Sequence, residues 1–315
     1  MGDMGPDFAL DEAQEAIVRL AGEVLNDNAD TPERLWKSLG QAGLLGLGVP
    51  VELGGAGLGP VETGLLLTEI GRRAARVPAW STLSLGVLPV ARWCSPEQRR
   101  DLLPAVLEGR VLTAALGEPG TGADRITGEW SVAPDADRAY RVIVPTEAGL
   151  ALIDPAGPGV TLRPTLRLQE APAEPIGGNS KALRRYAVAG ACALGDGALA
   201  GALAMTAGHV RDRHQFGRPL ATFQAVAQQI ADVYVASRTM HLISLAASWN
   251  LDNDDLSTAA YWLSAEALPA LRTCHHLHGG LGLDVEYPLH RHTELVRELV
   301  RDLDRLGADG VHRPD

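Results

Sequence analysis

The apolar residues of the first third of the chain recur at helical spacing. Ala13, Ile17 and Leu20 form one stripe, which places them on a single helix face. Thr31 followed by Pro32 is typical of a helix start, with the threonine as N-cap. The same reasoning predicts helices over 12–25, 61–75, 80–93 and 97–109. The stretch 43–59 is dense in glycine and is predicted to be a loop.

The pattern changes character at Val111. Short β-leaning runs, RVIVPT, LALID and GVTLRP, are separated by Asp, Pro and Gly, which is typical of a small antiparallel sheet. The proline- and glycine-rich stretch PAEPIGG, residues 172–178, is predicted to mark the exit from this sheet.

Helical periodicity returns after Lys181 and continues to Leu306. Pro269 is expected to kink or divide one of these helices, and Gly279 to end it in a left-handed conformation. The predicted helices cover 187–212, 223–251, 257–278 and 289–306. The chain is therefore predicted to be mainly α, with an N-terminal helical domain at 1–110, a small β domain at 111–178 and a C-terminal helical bundle at 179–315.

The composition of the chain limits the kinds of partner that it can bind. With 28 basic and 39 acidic residues the 315-residue chain carries a net charge of −11, which argues against nucleic acid as a partner. Cys94, Cys192 and Cys274 form no paired motif, so a reduced, cytoplasmic setting is expected. The N-terminus lacks a signal-peptide pattern, and no uninterrupted apolar run reaches membrane-spanning length. We expect a soluble protein without a membrane partner.

The stretch RDRHQFGRPLATFQ, residues 211–224, carries the most chemical information. The guanidinium of Arg213 suits a diphosphate, because its fork of donors matches phosphate oxygens in pairs. Phe216 offers an apolar face, Gln224 an amide that can read a nucleotide edge, and Gly217 the turn between them. The alternative is an ordinary helix-turn-helix corner with an exposed arginine.

Four motifs together resemble the acyl-CoA dehydrogenase family. They are GLLGLGVPVELGGAGLG with Glu69 after it, EQRRDLLPAVLEGRVLTAALGEPGTGAD (97–124), the 211–224 stretch, and HLHGGLGLDVEYPLHRH (276–292). They occur in the family's order over nearly the whole chain. The resemblance implies that family's fold: a helical domain, a small β domain and a C-terminal four-helix bundle.

The resemblance also implies FAD as the cofactor. Arg213 stands at the position that contacts the flavin diphosphate, with Phe216 and Gln224 in the same cluster. The turn starting at His276 matches a second contact, at which the family usually has glutamine. These groups reach FAD held mainly by a neighbouring subunit. The cofactor-binding residues implied are Arg213, Gln215, Phe216, Gln224, His276, Gly279 and Gly280.

The chain departs from the family at the catalytic base. Most members place a glutamate in a loop beyond the GG-x-G turn, but here the stretch around Leu303 has the leucine spacing of an amphipathic helix. Other members carry the base near Tyr186, where this chain has no carboxylate. Asp196 lies further along the same helix and is expected to point elsewhere. The acids of the last helix, interpreted as its solvated face, are Glu294, Glu298, Asp302 and Asp304.

The β domain also departs from the family's sequence pattern. Glu118-Pro119-Gly120 is present, but Gly122-Ala123-Asp124 stands for the usual GSD, and no Trp-x-Thr/Ser flavin clamp follows. With the base also missing, the chain resembles the short non-catalytic subunit of the α2β2 acyl-CoA dehydrogenases that act on steroid side-chain CoA thioesters in actinobacteria. The resemblance implies a longer partner subunit that carries the glutamate, an acyl-CoA substrate and no catalytic residue here.

Other interpretations remain open. A self-sufficient homomeric dehydrogenase would need Glu298, Asp302 or Asp304 as a relocated base. A non-enzymatic helical scaffold would need no cofactor. A metal enzyme is a separate class, suggested by closely spaced histidines, but the family resemblance already accounts for the HGG turn, and no metal site is predicted. The histidines concerned are His275, His276, His278, His290 and His292.

Overall fold

The structure, a computed structural model, describes residues 8–27 and 31–307. Residues 1–7 and 308–315 lie outside it, so the expectation that the N-terminus carries no signal peptide falls largely on residues it does not describe. The helices that precede the sheet are α1 (Glu12–Asp27), α2 (Pro32–Gln41), α3 (Pro60–Arg72), α4 (Leu88–Trp93) and α5 (Pro96–Leu107). A π-helical segment, Trp80–Val87, runs directly into α4, so the helix predicted over 80–93 is confirmed.

Side-chain caps fix where these helices begin. The Thr31 hydroxyl accepts the Arg34 backbone N–H at 3.3 Å, and Pro32 occupies the first helical position, as predicted. Ser95 caps α5, and its Oγ and the Gln98 side chain satisfy each other's backbone N–H groups. Such a reciprocal cap satisfies donors that the helix itself leaves unpaired.

The middle of the chain forms a mixed sheet. Its strand order is β1-β3-β4-β6-β2, with β5 also paired to β6. The β1–β3 pair is parallel, so the prediction of a purely antiparallel sheet is wrong. After β1 the chain visits β2 at the far edge before it returns as β3, and this crossover permits the parallel direction. The strands are β1 (Val111–Ala114), β2 (Arg125–Trp130), β3 (Ala139–Thr146), β4 (Gly149–Ile153), β5 (Val160–Thr161) and β6 (Leu166–Ile176).

Strand β6 joins the two halves of this sheet. Its first half pairs with β2 and its second half, residues 173–176, with β4. The stretch predicted to mark the sheet's exit therefore continues a strand. A proline removes only one backbone donor, so Pro172 and Pro175 do not end the strand.

The last part of the chain is helical again. Helix α6 begins at Ser180, capped by Asn179, which is earlier than the predicted start at 187. Pro269 does not break its helix: a π-helical segment, Leu263–Ala267, joins α8 to α9 directly before it. The helices are α6 (Ser180–Asp212), α7 (Gln224–Asn250), α8 (Asn253–Trp262), α9 (Leu268–His278) and α10 (Leu289–Arg305).

Helix α6 is the centre of the core. Gly197 and Gly71 let α6 and α3 approach closely, because a Cβ at either position would lie 1.8 Å or 2.0 Å from a backbone carbonyl oxygen of the facing helix. By length and composition alone α6 could cross a membrane, but 78% of its most apolar window is buried inside the protein. It is therefore packed as the central helix of the helical core.

Candidate functional site

A short hairpin follows the end of α6. Strands β7 (His214–Gln215) and β8 (Arg218–Pro219) pair antiparallel, and the Leu220 N–H donates to the Arg213 carbonyl at 2.8 Å. Phe216 and Gly217 form the tip at φ values of +53° and +79°. Two successive positive φ values are the signature of a type I′ turn. This turn holds Phe216 in solvent, 92% exposed.

The hairpin is anchored to the start of α7 through Phe223. The guanidinium carbon of Arg218 lies 4.1 Å from the Phe223 ring centroid, and the Phe216 ring meets the same ring edge-on at 6.2 Å. Phe223 immediately precedes Gln224, the first residue of α7. Arg213, Phe216 and Gln224, predicted from sequence to act together, are therefore held in one small unit.

The polar side chains of this unit point to solvent. Arg213, Gln215 and Gln224 are exposed, and within residues 8–27 and 31–307 the structure records no hydrogen bond or ion pair from their side chains. Arg211, two residues before Arg213, instead approaches the Asp212 carboxylate at 3.6 Å. The guanidinium donors of Arg213 are thus available to a ligand from outside the chain.

The second predicted contact lies where α9 ends. Gly279 has φ +58° and ψ −135°, so the expected helix stop is present, although its ψ is not that of a left-handed helix. A Cβ at Gly279 or Gly280 would meet no atom within 4 Å, whereas a Cβ at Gly282 would lie 2.7 Å from the His275 carbonyl oxygen. His275 Nδ1 also pairs with the Gly282 carbonyl at 2.7 Å. Gly282 is needed by the chain's own packing, and Gly280 is not.

Two stacked histidines connect the hairpin that carries Arg213 with the turn at the end of α9. The rings of His209, in the last turn of α6, and His278, the last residue of α9, stack with centroids 4.5 Å apart and planes 21° apart. Burial lowers the pKa of both imidazoles. Sequence reasoning missed His209, although it lies four residues before Arg213 and so shares its side of the helix end.

The clustered histidines other than His276, which is exposed, are engaged in structural hydrogen bonds. Among the described residues no group of three or more His, Cys, Asp or Glu side chains is arranged to hold a metal ion. His275 pairs with Thr293 Oγ1 at 2.8 Å, and His290 Nδ1 donates to the Tyr287 carbonyl at 2.8 Å. His292 Nε2 reaches the Arg72 carbonyl at 3.2 Å.

The acids of α10 differ from one another. Arg76 binds both Glu294 and Glu298 at 2.9 Å and so ties α10 to the segment after α3. Asp302 is half-buried, and this burial raises its pKa, while Arg305 approaches it at 3.5 Å. The interpretation of all four acids as a freely solvated face is therefore wrong in part. Only Asp304 is exposed without an ion pair in the structure described.

The remaining candidate positions for a base also carry structural contacts. Asp196 is 2% exposed and accepts from His241 Nδ1 at 2.9 Å, in the space between α3, α6 and α7. Its position away from the start of α6 agrees with the prediction. Tyr186 packs against Trp93 with ring centroids 5.5 Å apart, and burial raises its pKa.

Two cavities of about 420 Å³ each flank the start of α6 and share Lys181 and Arg184. The first lies against α8 and is also lined by Arg185 and Ser257. The second lies against the loop after β1 and the end of α10, where Arg184 donates to the Gly307 carbonyl. In both cavities cationic side chains stand beside apolar ones.

Helix α7 presents large apolar side chains to solvent. Tyr234, Val235 and Trp249 are 56%, 62% and 51% exposed. Leu283 and Val285, in the segment after the 276–282 turn, are each 83% exposed. Apolar surface of this kind on a soluble protein marks an interaction site when the residues are contiguous. The exposed apolar residues of α7, from Tyr234 to Trp249, span four helical turns.

Two sequence profiles match the chain. The acyl-CoA dehydrogenase N-terminal domain matches residues 7–110, and the acyl-CoA dehydrogenase C-terminal domain matches residues 182–299. The acyl-CoA dehydrogenase FadE28 of Mycobacterium tuberculosis is 37% identical over 94% of this chain and 94% of its own length. FadE27 of the same organism is 31% identical over 91% of this chain and 92% of its own.

Solved structures with the same fold include two complexes. A variant of the Tcur3481–Tcur3483 steroid ACAD superposes with a TM-score of 0.84 at 32% identity, covering 94% of this chain and 97% of that one. The ChsE4–ChsE5 complex from Mycobacterium tuberculosis superposes with a TM-score of 0.85 at 28% identity, covering 98% and 100%.

Proposed function

Because the chain belongs to the acyl-CoA dehydrogenase family, we propose that it is the non-catalytic subunit of a heteromeric, FAD-dependent acyl-CoA dehydrogenase. It completes the cofactor site of a longer partner chain, which carries the catalytic glutamate. The complex would introduce an α,β double bond into an acyl-CoA. In this proposal the chain has a helical domain to residue 110, a β domain to residue 178 and a helical bundle after it. The protein would be cytoplasmic.

The observation that carries the proposal is Arg213, exposed and without a side-chain hydrogen bond or ion pair among the described residues, beside Phe216 at the tip of its hairpin. A fixed turn that displays a phenylalanine 92% exposed is costly for an isolated chain, since apolar surface is left in water. Both groups gain a function when a second protomer brings a dinucleotide against them. Phe216 then packs on that protomer or its cofactor.

The residues fit a flavin dinucleotide. The guanidinium of Arg213 pairs with diphosphate oxygens, two donors at a time. α7 has no side-chain N-cap, so its first N–H groups, beside Gln224, suit an anion. The open space beside Gly279 and Gly280 admits a ligand close to the backbone. Gln215 and His276 supply further polar contacts at the same two places.

The chemistry is divided between the chains. A bound flavin would supply the acceptor for the hydride from Cβ of the acyl chain, and a carboxylate base would remove the Cα proton. In this chain Asp196 is committed to His241, and Glu294 and Glu298 are committed to Arg76. Its residues would therefore bind and orient the cofactor, and the base would come from the partner.

The partner surface we propose is the exposed face of α7. Helix α7 begins at Gln224, shortly after the hairpin that bears Phe216, and its exposed apolar residues begin at Tyr234, so we propose that one partner covers both. Two relatives of similar length are solved as complexes of two named chains. We therefore propose a longer homologous subunit as the partner that covers the hairpin and the exposed face of α7. The steroid ACAD among these relatives favours a steroid side-chain thioester as the acyl-CoA.

One observation favours a second candidate function, a dehydrogenase that needs no other kind of subunit. Lys181, Arg184 and Arg185 converge on a cavity of about 420 Å³, and cations are suited to the phosphates of an acyl-CoA. In that case Glu298, Asp302 or Asp304 would act as the base.

Expression of the chain alone and together with the product of the neighbouring gene distinguishes the two. We expect the lone chain to be colourless and inactive, and the co-purified complex to hold flavin and to turn over acyl-CoA in a dye-coupled assay. Flavin and turnover in the lone chain would establish the second candidate and refute the first. The same comparison with an unrelated soluble partner controls for effects of co-expression on yield.

A further inference from the structure

The His209–His278 stack is the ring contact that joins the two halves of the candidate cofactor site. Its rings lie 4.5 Å apart and nearly parallel. The His209 carbonyl accepts the Arg213 N–H at 2.9 Å, so this ring is attached to the helix end that carries the guanidinium. His278 directly precedes Gly279. A movement of either ring therefore shifts one half of the site relative to the other.

Hydrogen bonds indicate the tautomer of the neutral His278 ring. Its Nδ1 faces the Cys274 carbonyl at 2.8 Å, so this nitrogen carries the hydrogen. Nε2 is then the acceptor for the Tyr287 hydroxyl at 3.1 Å. The ring is 4% exposed, and this burial favours its neutral form. A proton added at Nε2 would turn this acceptor into a donor and would place a charge against the neighbouring ring.

The surroundings oppose such a charge. Arg213 faces His209 from α6, and His275 faces His278 from α9; only Asp212 favours a proton on His209. Burial lowers the pKa of both histidines, and positive charge on His209 or His275 lowers the pKa of His278 further. His209 is the more exposed ring and takes the first proton.

We propose that His209 and His278 are a positioning pair for the bound cofactor. While both rings are neutral, their stack holds the Arg213 end of α6 and the 276–280 turn in a fixed relation. Protonation of His209 separates the rings and releases the turn. The inference rests on the proposed function in one respect, because the ligand that the pair positions is the flavin dinucleotide.

The first test needs no flavin. Hydrogen exchange of the 279–287 amides in the full chain, corrected for the intrinsic effect of pH, reports whether the turn is held. Because the pKa of His209 is lowered, protection in the wild type should be kept at the ordinary imidazole pKa of about 6.5 and lost only at lower pH. His209→Phe keeps a stacking ring that cannot take a proton and should stay protected, whereas His209→Ala should lose protection at every pH. His214→Phe, an exposed histidine in the hairpin, should behave as the wild type.

The second test measures flavin dissociation from the purified complex against pH. As pH falls below the lowered pKa of His209, the wild-type dissociation constant should rise with a limiting slope of about one decade per pH unit, as expected for one linked proton. The His209→Phe complex should show no such rise. A merely structural role for the ring would lower thermal stability without changing this slope.

The two failures are distinguishable. If flavin binds and depends on Arg213, but His209→Phe follows the wild type in exchange and in affinity, the positioning pair is refuted and the proposed function stands. If no complex holds flavin at any pH, the proposed function fails. The exchange experiment then decides alone whether the stack holds the turn, and unchanged protection across the pH range would overturn it.

Discussion

Arg213→Ala should weaken flavin retention without weakening the fold. The side chain is exposed and makes no recorded hydrogen bond or ion pair within the described residues, so the free energy of unfolding should change by less than about 0.5 kcal/mol. A hydrogen bond to a charged group contributes about 1.5–3 kcal/mol. Loss of one such bond to the diphosphate corresponds to a flavin dissociation constant higher by roughly 10- to 150-fold.

The assay is flavin fluorescence released on dilution of the complex, with urea unfolding of the same preparations as the stability control. Arg211→Ala is the matched variant, because it removes the same charge from the same helix end, and among the described residues the ion pair of this guanidinium is with Asp212. It should leave retention unchanged. Lysine carries a point charge without the planar fork of donors, so flavin retention in Arg213→Lys should lie between that of the wild type and that of Arg213→Ala. Equal losses in Arg211→Ala and Arg213→Ala would refute the specific contact and leave only a general effect of charge.

Three further outcomes are expected. Gly280→Ala should lower flavin retention about tenfold and leave the fold intact, while Gly282→Ala should destabilise the fold itself by about 1–3 kcal/mol in urea; the reverse order would exclude a ligand at this turn. Asp196→Ala leaves its imidazole partner on α7 unpaired and should cost about 1–3 kcal/mol, against under 0.5 for exposed Asp232→Ala; equal costs would contradict a buried pair. Burial raises the pKa of Asp302 above its ordinary 3.8, so its contribution to stability is present below that pH and lost as pH rises through the folded value. Asp302→Asn should therefore raise the urea midpoint at neutral pH and not near pH 3.8, and a lower neutral midpoint would contradict this.

Local patterns in the sequence predicted most helices well. The cap at Thr31 and the stop at Gly279 lie as expected, because each depends on a few adjacent residues. The sheet was predicted less well, since strand direction depends on which edge a distant strand joins. The parallel β1–β3 pair and the passage of β6 through two prolines leave no local signal.

Prediction of the site from sequence was limited in the same way, to contacts between residues that are close along the chain. Arg213, Phe216 and Gln224 could be grouped from sequence, because one hairpin links them. The stack of His209 on His278 joins residues 69 positions apart and could not be inferred from either motif. The same holds for the attachment of Glu294 and Glu298 to Arg76. Their acidic pattern indicated solvent, whereas the fold brings a cation from the segment after α3 against them.

The central claim is that this chain helps to hold the cofactor but does not abstract the proton. The most direct test is the single-turnover rate of flavin reduction by acyl-CoA in the complex, with Glu298→Gln, Asp302→Asn and Asp304→Asn combined in this chain. We predict a rate within about twofold of the wild type, since no general base is removed. A fall of about 100-fold or more, the size expected for loss of a general base, would contradict the claim.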